Sequence, residues 1–356
     1  MRAYSRITLR GTCALHAMGE PRMNAATARA VATLMLLLVA CRRNADEAPA
    51  IGLITKTESN PFFVTMTRGA EEAATANGFR LITGAGRNDG DNAAQVTAIE
   101  NMVAAGAKAI MITVNDSKAI VPAISKARAS GVMVIALDSP ADPVDATDGL
   151  FATDNYRAGE LIGAYAKAML GARAPRIATL DLLPGHPVGA QRHNGFLRGM
   201  GLPSNARGSN ELAQPAEVLC MADSYGDQAK GQTGMENCLQ KHPDLNVVYT
   251  INEPTAAGAF TALERAGKAT GVILVSVDGG CQGVKAIQAG RLAATAQQYP
   301  QKMARMGVDA AVTFLKTGVK PTGYTDTGVQ LITAQPAAGI PSVTADSALT
   351  VCWGDR

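Results

Sequence analysis

Between residues 50 and 333 the chain alternates short apolar, β-rich runs with stretches of helical length, and this alternation constrains its fold more than any other feature. Strand-like runs at 50–55, 80–83, 109–113 and 132–137 are separated by helical stretches at 61–77, 91–105 and 117–130. Pro61 opens the first helix and Gly78 follows its end, where a pre-set φ and a left-handed cap are favoured. The strand runs are apolar on both faces, as expected when helices cover both sides of a parallel sheet. A second series begins near Leu150. Its helices are read over 156–170, 188–200, 227–241, 255–266, 282–289 and 301–317. Its strands are read over 176–180, 217–221, 247–250, 272–277, 292–297 and near 329–333. Two βα series of this length predict an α/β chain of two doubly wound, parallel-sheet lobes. Ligands of such sheets bind outside the carboxyl ends of the strands, so the residues that follow each strand are the candidates for function.

The N-terminus reads differently. Residues 30–40 form an apolar run of 11 residues, whereas a membrane-spanning helix needs about 20. The run follows Arg29 and ends in Leu38-Val39-Ala40-Cys41, the basic, apolar, small-residue order of a secretory signal peptide. Those four residues resemble the lipobox of bacterial lipoproteins, which makes Cys41 the lipidated first residue of the mature chain. Ordinary cleavage, with Cys41 incidental, is the alternative. Met23 is a candidate start, because the residues before it add nothing to such a leader. Residues 1–40 are therefore read as a signal peptide and 41–49 as a tether. The full chain carries +3 and the leader +4, from five arginines against Glu20, so the mature chain carries −1. The apparent basicity belongs to the export signal, and a nucleic-acid partner loses its support. No later run is long and apolar, which predicts a soluble mature body. Four cysteines remain there, Cys220, Cys238, Cys281 and Cys352. Four cysteines allow three pairings, and Cys220–Cys238 with Cys281–Cys352 is one guess among them. No CxxC or His/Cys ligand spacing occurs, so disulfides are expected and no metal or other cofactor.

The residues after the strands form a coherent inventory. The first strand is followed by Thr57-Glu58-Ser59-Asn60-Pro61-Phe62-Phe63. Aromatic residues are only 4% of the chain, so an adjacent Phe pair at a strand–helix junction is informative. One ring is expected to face the core, and one to stack on the C–H face of a sugar. Asn115 and Asp116 follow the third strand, and Asp138 and Ser139 the fourth. Later come Arg192, Asn252 with Glu253, Asp278-Gly279-Gly280, and Gln298. Singly, each Asn or Asp reads as a cap or turn residue. Together, carboxylates, amides and a guanidinium at both rims suit a polyhydroxylated ligand, whose hydroxyls both donate and accept.

Several motifs, in order, carry a family resemblance. Ile51-Gly-Leu-Ile with Asn60-Pro-Phe-Phe, Gly106-Ala-Lys-Ala-Ile, Ala136-Leu-Asp138-Ser and Val275-Ser-Val-Asp278-Gly resemble the periplasmic sugar-binding proteins related to ribose-binding protein. Asp223-Ser-Tyr225-Gly-Asp-Gln-Ala-Lys-Gly, Tyr249-Thr-Ile-Asn252-Glu-Pro and Ala296-Gln-Gln298-Tyr-Pro are similar to the fructose-type branch. The likeness covers residues 50–335. It implies the type I binding-protein fold with a three-strand hinge: a first lobe of 50–152 plus 299–327, and a second of 153–298 plus 328–356. It implies a monomer that closes by hinge motion on a monosaccharide and delivers it to the permease subunits of an ABC importer. The ligand-binding residues it implies are Asn60, Phe62, Phe63, Asp138, Arg192, Tyr225, Asn252, Asp278 and Gln298, to which the position after the third strand adds Asn115. Two departures stand out. Glu253 follows Asn252 where the family has Asp, and Ser139 follows Asp138 where ribose binders have Arg, which speaks against ribose itself; the motif likeness places fructose ahead of it.

Other classes fare worse. No GxSxG, HExxH or GxxxxGK[ST] occurs, and Gly84-Ala-Gly86-Arg-Asn-Asp-Gly90 is not spaced as a dinucleotide fingerprint but reads as a turn. The Asp138/Asp278 pair would sit on opposite lobes of a hinged cleft, better placed to bind hydroxyls than to act as acid and base. An enzyme is not expected. A repressor of this architecture would need a helix-turn-helix where the leader stands. The remaining alternatives share the fold: a binder of a nucleoside or signalling furanone, or a sensor lipoprotein that docks on a chemoreceptor.

Overall fold

The computed structural model describes residues 48–354. The expected leader and Cys41 lie outside the described residues, as does most of the tether. Two sheets organise the rest. The first contains β1 (Ala50–Thr55), β2 (Arg80–Ala85), β3 (Ala109–Ile112), β4 (Met133–Leu137), β5 (Gly149–Ala152) and β11 (Tyr324–Asp326), in the order β11-β5-β4-β3-β1-β2. Its pairings are all parallel. The second contains β6 (Ile177–Asp181), β7 (Val218–Asp223), β8 (Val247–Thr250), β9 (Ile273–Asp278), β10 (Ala294–Gln297), β12 (Gln330–Thr333) and β13 (Val343–Thr344). Its order is β13-β12-β10-β9-β8-β6-β7. There β12 runs antiparallel to β10 and the other pairs are parallel.

Period-two alternation gives each sheet two cores. In β1, Ile51 and Leu53 join the helices Pro61–Ala76 and Pro300–Thr317 on one face. Ile54 joins the helices Asn92–Ala104 and Val121–Ala129 on the other. The second sheet is covered likewise, by the helices Asn155–Leu170 and Pro187–Met200 on one side. Gln228–Lys241, Glu253–Arg265 and Cys281–Gln288 cover the other side. The two lobes of doubly wound parallel sheet read from the sequence are thus present. The chain passes between the sheets three times: after β5, after β10 and after β11.

Strand order reverses between β1 and β3 in the first sheet and between β6 and β8 in the second. A crevice opens at such switch points. The segments after these four strands, which carry Asn60, Asn115, Arg192 and Asn252, therefore meet between the lobes.

Several elements differ from the sequence reading. The helix read over 117–130 spans Val121–Ala129, because Asp116 Oδ1 accepts from the backbone N of Lys118 and Ala119 and holds a turn there. The short strands β5, β11 and β13 and the helix Ala345–Ala348 are additions to the elements predicted from the sequence. Both disulfides follow the guessed pairing, Cys220–Cys238 and Cys281–Cys352.

Candidate functional site

Three non-glycine residues have a positive φ among the described residues: Asp138 at 62°, Tyr225 at 54° and Asp278 at 146°. Such backbone costs of order 1–3 kcal/mol per residue and persists where surrounding structure holds it. All three are candidate ligand residues, and each lies at or just after the C-terminus of a strand.

The second lobe's share is a closed network. The helices Asn155–Leu170 and Pro187–Met200 pack so tightly that a Cβ on Gly159 would lie 2.2 Å from the Arg192 carbonyl O. That approach places Arg192, 4% exposed, beside its partners. Nε donates to Asn155 Oδ1 (2.7 Å), one terminal nitrogen to the Ile251 carbonyl (2.9 Å) and the other to Gln298 Oε1 (3.1 Å). Gln298 Nε2 then donates to Asp278 Oδ1 at 2.8 Å, and the backbone N of Glu253 donates to Asp278 Oδ2 at 3.2 Å. Glu253 returns the support. Its carboxyl accepts from Gly279 N (2.9 Å), Gly280 N (3.1 Å) and Thr295 Oγ1 (2.8 Å), fixing the turn after Asp278. Burial raises the pKa of both Glu253 and Asp278. Asn252 caps its helix through Thr255 N (3.0 Å) and donates to the Gly226 carbonyl (3.1 Å), so both ends of its amide are engaged. Tyr225, half-buried, lies under the Lys230 ammonium, 3.7 Å from ring centre to Nζ.

The first lobe's share is left open. Asp138 Oδ2 accepts from Ser139 Oγ at 2.9 Å, while the buried Oδ1 has no partner. Asn115 is fully buried. Its Nδ2 donates to the Asn88 carbonyl at 3.2 Å, and its Oδ1 is also unpartnered. Asn60 caps the helix after β1 through Phe62 N at 3.0 Å. Phe62 and Phe63 meet edge to face at 5.3 Å. Both rings are buried in the first lobe's core cluster, so the packing does not divide them into an inward and a ligand-facing ring.

A cavity of about 940 Å³ opens at the junction of the lobes and continues over the second lobe's surface past Phe260 and Arg291. Asn60, Tyr225 and Asp278 line it; the other candidates lie deeper or, like the Phe pair, within the core.

Residues 51–319 match the periplasmic binding protein domain. The chain is 32% identical over 261 residues to the ribose import binding protein of Bacillus subtilis, covering 73% of this chain and 80% of that one. The chain belongs to the type I periplasmic sugar-binding proteins of ABC transporters. It is also 29% identical over 331 residues to the D-ribose/D-allose-binding protein of Pseudomonas aeruginosa, covering 88% of this chain and 98% of that protein. A solute binding protein from Actinobacillus succinogenes, solved with bound D-allose, superposes with a TM-score of 0.71. It is 25% identical and covers 85% of this chain and 99% of its own. These relatives are transport proteins rather than enzymes.

Within this binding protein, three further groups at the cleft escaped the sequence reading. Lys56 Nζ lies 3.2 Å from His186 Nε2, joining the two lobes. His186 Nδ1 lies 3.2 Å from Val188 N, and its Nε2 lies 3.4 Å from the Val114 carbonyl. Burial lowers the pKa of both Lys56 and His186. Asp89 approaches from the first lobe; its Oδ2 lies 3.4 Å from where a Cβ on Gly226 would sit. Burial pushes its pKa up to about 6, against the pull of Lys56. Lys56 and Asp89 follow strands, so the strand-end rule could have found them. His186 opens the helix after β6, as its N-cap, and nothing in its local sequence marks it as a cleft residue.

Proposed function

We propose that the chain is exported and captures a neutral monosaccharide between its lobes for delivery to the permease of an ABC importer. The observation that carries this reading is the pair of buried, unpartnered acceptors, Asp138 Oδ1 and Asn115 Oδ1. They lie on the first lobe of a cleft whose second lobe is a bonded Arg192–Gln298–Asp278 chain. A buried acceptor left without a donor costs about 1–3 kcal/mol. Sugar hydroxyls supply such donors. Four carboxyl groups, Asp89, Asp138, Glu253 and Asp278, stand against two basic groups, Lys56 and Arg192, a balance that disfavours sugar acids. Ribose and allose are the ligands named for the relatives, whereas the motifs around Tyr225, Asn252 and Gln298 are similar to the fructose branch. A thermal-shift screen of ribose, allose, fructose, xylose, galactose, glucose, inositol and ribonucleosides separates them. At least one neutral sugar should raise the unfolding midpoint by mass action, and a flat response to every sugar contradicts the reading. The lipid anchor on Cys41 is a separate part of the proposal. Palmitate should label the wild type and not Cys41→Ala.

A further inference from the structure

The chain continues past residue 319, where the match to the binding-protein domain ends. After β12 it adds β13 at the edge of the second sheet and the helix Ala345–Ala348, and is then bonded back to the second lobe by Cys281–Cys352. The next residue is Trp353, the single tryptophan of the sequence and 7% exposed. Its contacts fall on three different parts of the molecule. On the second lobe, its carbonyl accepts from Cys281 N at 2.8 Å and its backbone bridges to Gly280. On the connection between lobes, its indole Nε1 donates to the carbonyl of Gln298 at 2.7 Å. On the first lobe, its ring meets Phe62 edge to face, with centroids 5.6 Å apart, and joins that lobe's core cluster. A Cβ on Gly280 would lie 3.2 Å from the indole, so glycine there leaves room for the ring.

We propose that Trp353 is a positioning residue of the ligand site and a latch between the lobes, held in place by the Cys281–Cys352 disulfide. Gln298 is the hub of the argument. Its side chain bridges Arg192 and Asp278, while its carbonyl is fixed by the indole. Trp353 therefore acts on the ligand through Gln298, and holds the Phe62 ring beside Asn60 on the opposite lobe. Edge-to-face ring pairs add to burial. Because the disulfide ties Trp353 to one lobe while Phe62 belongs to the other, hinge opening must part the rings or drag the segment with it.

This inference rests on the sugar-binding reading, and its test keeps the two apart. With a sugar found by the screen, the fluorescence of the single tryptophan should change along the same saturation curve that calorimetry gives. Trp353→Phe keeps a ring and loses the indole donor; it should bind about tenfold more weakly, at an unfolding midpoint close to that of the wild type. Replacing both Cys281 and Cys352 by Ser should weaken binding similarly, whereas replacing Cys220 and Cys238 should not. Small-angle scattering without sugar reads the latch alone: Trp353→Ala should have a larger radius of gyration than the wild type. Wild-type affinity in Trp353→Phe together with flat fluorescence overturns the positioning role. Equal radii overturn the latch. If no sugar binds the wild type, the proposed function falls, and scattering still decides the latch.

Discussion

The two halves of the cleft are built to different standards. On the second lobe, Arg192, Gln298, Asp278 and Glu253 engage their polar atoms with one another, with the backbone and with the side chains of Asn155 and Thr295. On the first lobe, Asp138 and Asn115 each keep a buried acceptor without a partner. A network bonded in advance holds its geometry without ordering cost at the moment of binding. Unpartnered acceptors do the reverse, lowering stability until a donor arrives. The second lobe is thus read as the template, and the first as the half that a ligand completes.

The sharpest way to break this contrast is to substitute each half in turn. Arg192→Ala removes three hydrogen bonds at once and leaves Asp278 facing only its amide partners. Sugar binding should become undetectable by calorimetry and the thermal midpoint should fall, with native circular dichroism retained. Asp138→Asn should also weaken binding, by about a hundredfold, yet leave the midpoint unchanged or raised, because it removes a buried carboxyl with an open oxygen. If both variants lose stability equally, the two halves do not differ as described. Gly159→Ala tests how the template is positioned. Its new methyl meets the Arg192 carbonyl, and overpacking of this kind costs about 1–3 kcal/mol. Urea unfolding should register that loss, accompanied by a smaller loss of affinity.

A further effect is one of pH. Asp89 has a pKa raised on folding to about 6 by burial, so the folded chain binds this proton more tightly than the unfolded one. Its contribution is most favourable below about pH 4 and is lost as pH rises through about 6, a span worth up to about 2–3 kcal/mol. Asp89→Asn should flatten that part of the curve of urea midpoint against pH. An unchanged slope would mean that Asp89 is not held in a desolvated cleft.

What could be read from the sequence follows from the range of the interaction concerned. Strands such as β1 and β9, buried along their whole length, announce themselves as apolar runs, and their order of appearance implied two wound lobes. β11 is three exposed residues paired to β5, with no apolar pattern to betray it. Positions after strands brought in Asp138, Asp278 and Gln298, since topology alone places them at the rim. The strand-end rule reaches Lys56, but its partner His186 lies 130 residues away, and no local pattern encodes that pairing. Glu253 looked like a departure from a motif, and its role as clamp of the Asp278 turn is visible only once Gly279 and Gly280 are seen against its carboxyl. Trp353 lies beyond the family likeness, and contacts with residues far away in sequence, the disulfide among them, bring it to the cleft.

The central claim is that this cleft takes a neutral sugar and rejects its acid. Calorimetry of the wild type at pH 7 with the best sugar of the screen, and with the corresponding sugar acid, tests that claim most directly. The expected result is saturable single-site binding of the neutral sugar and no heat from the acid; tighter binding of the acid, or no binding of any neutral sugar, would contradict it.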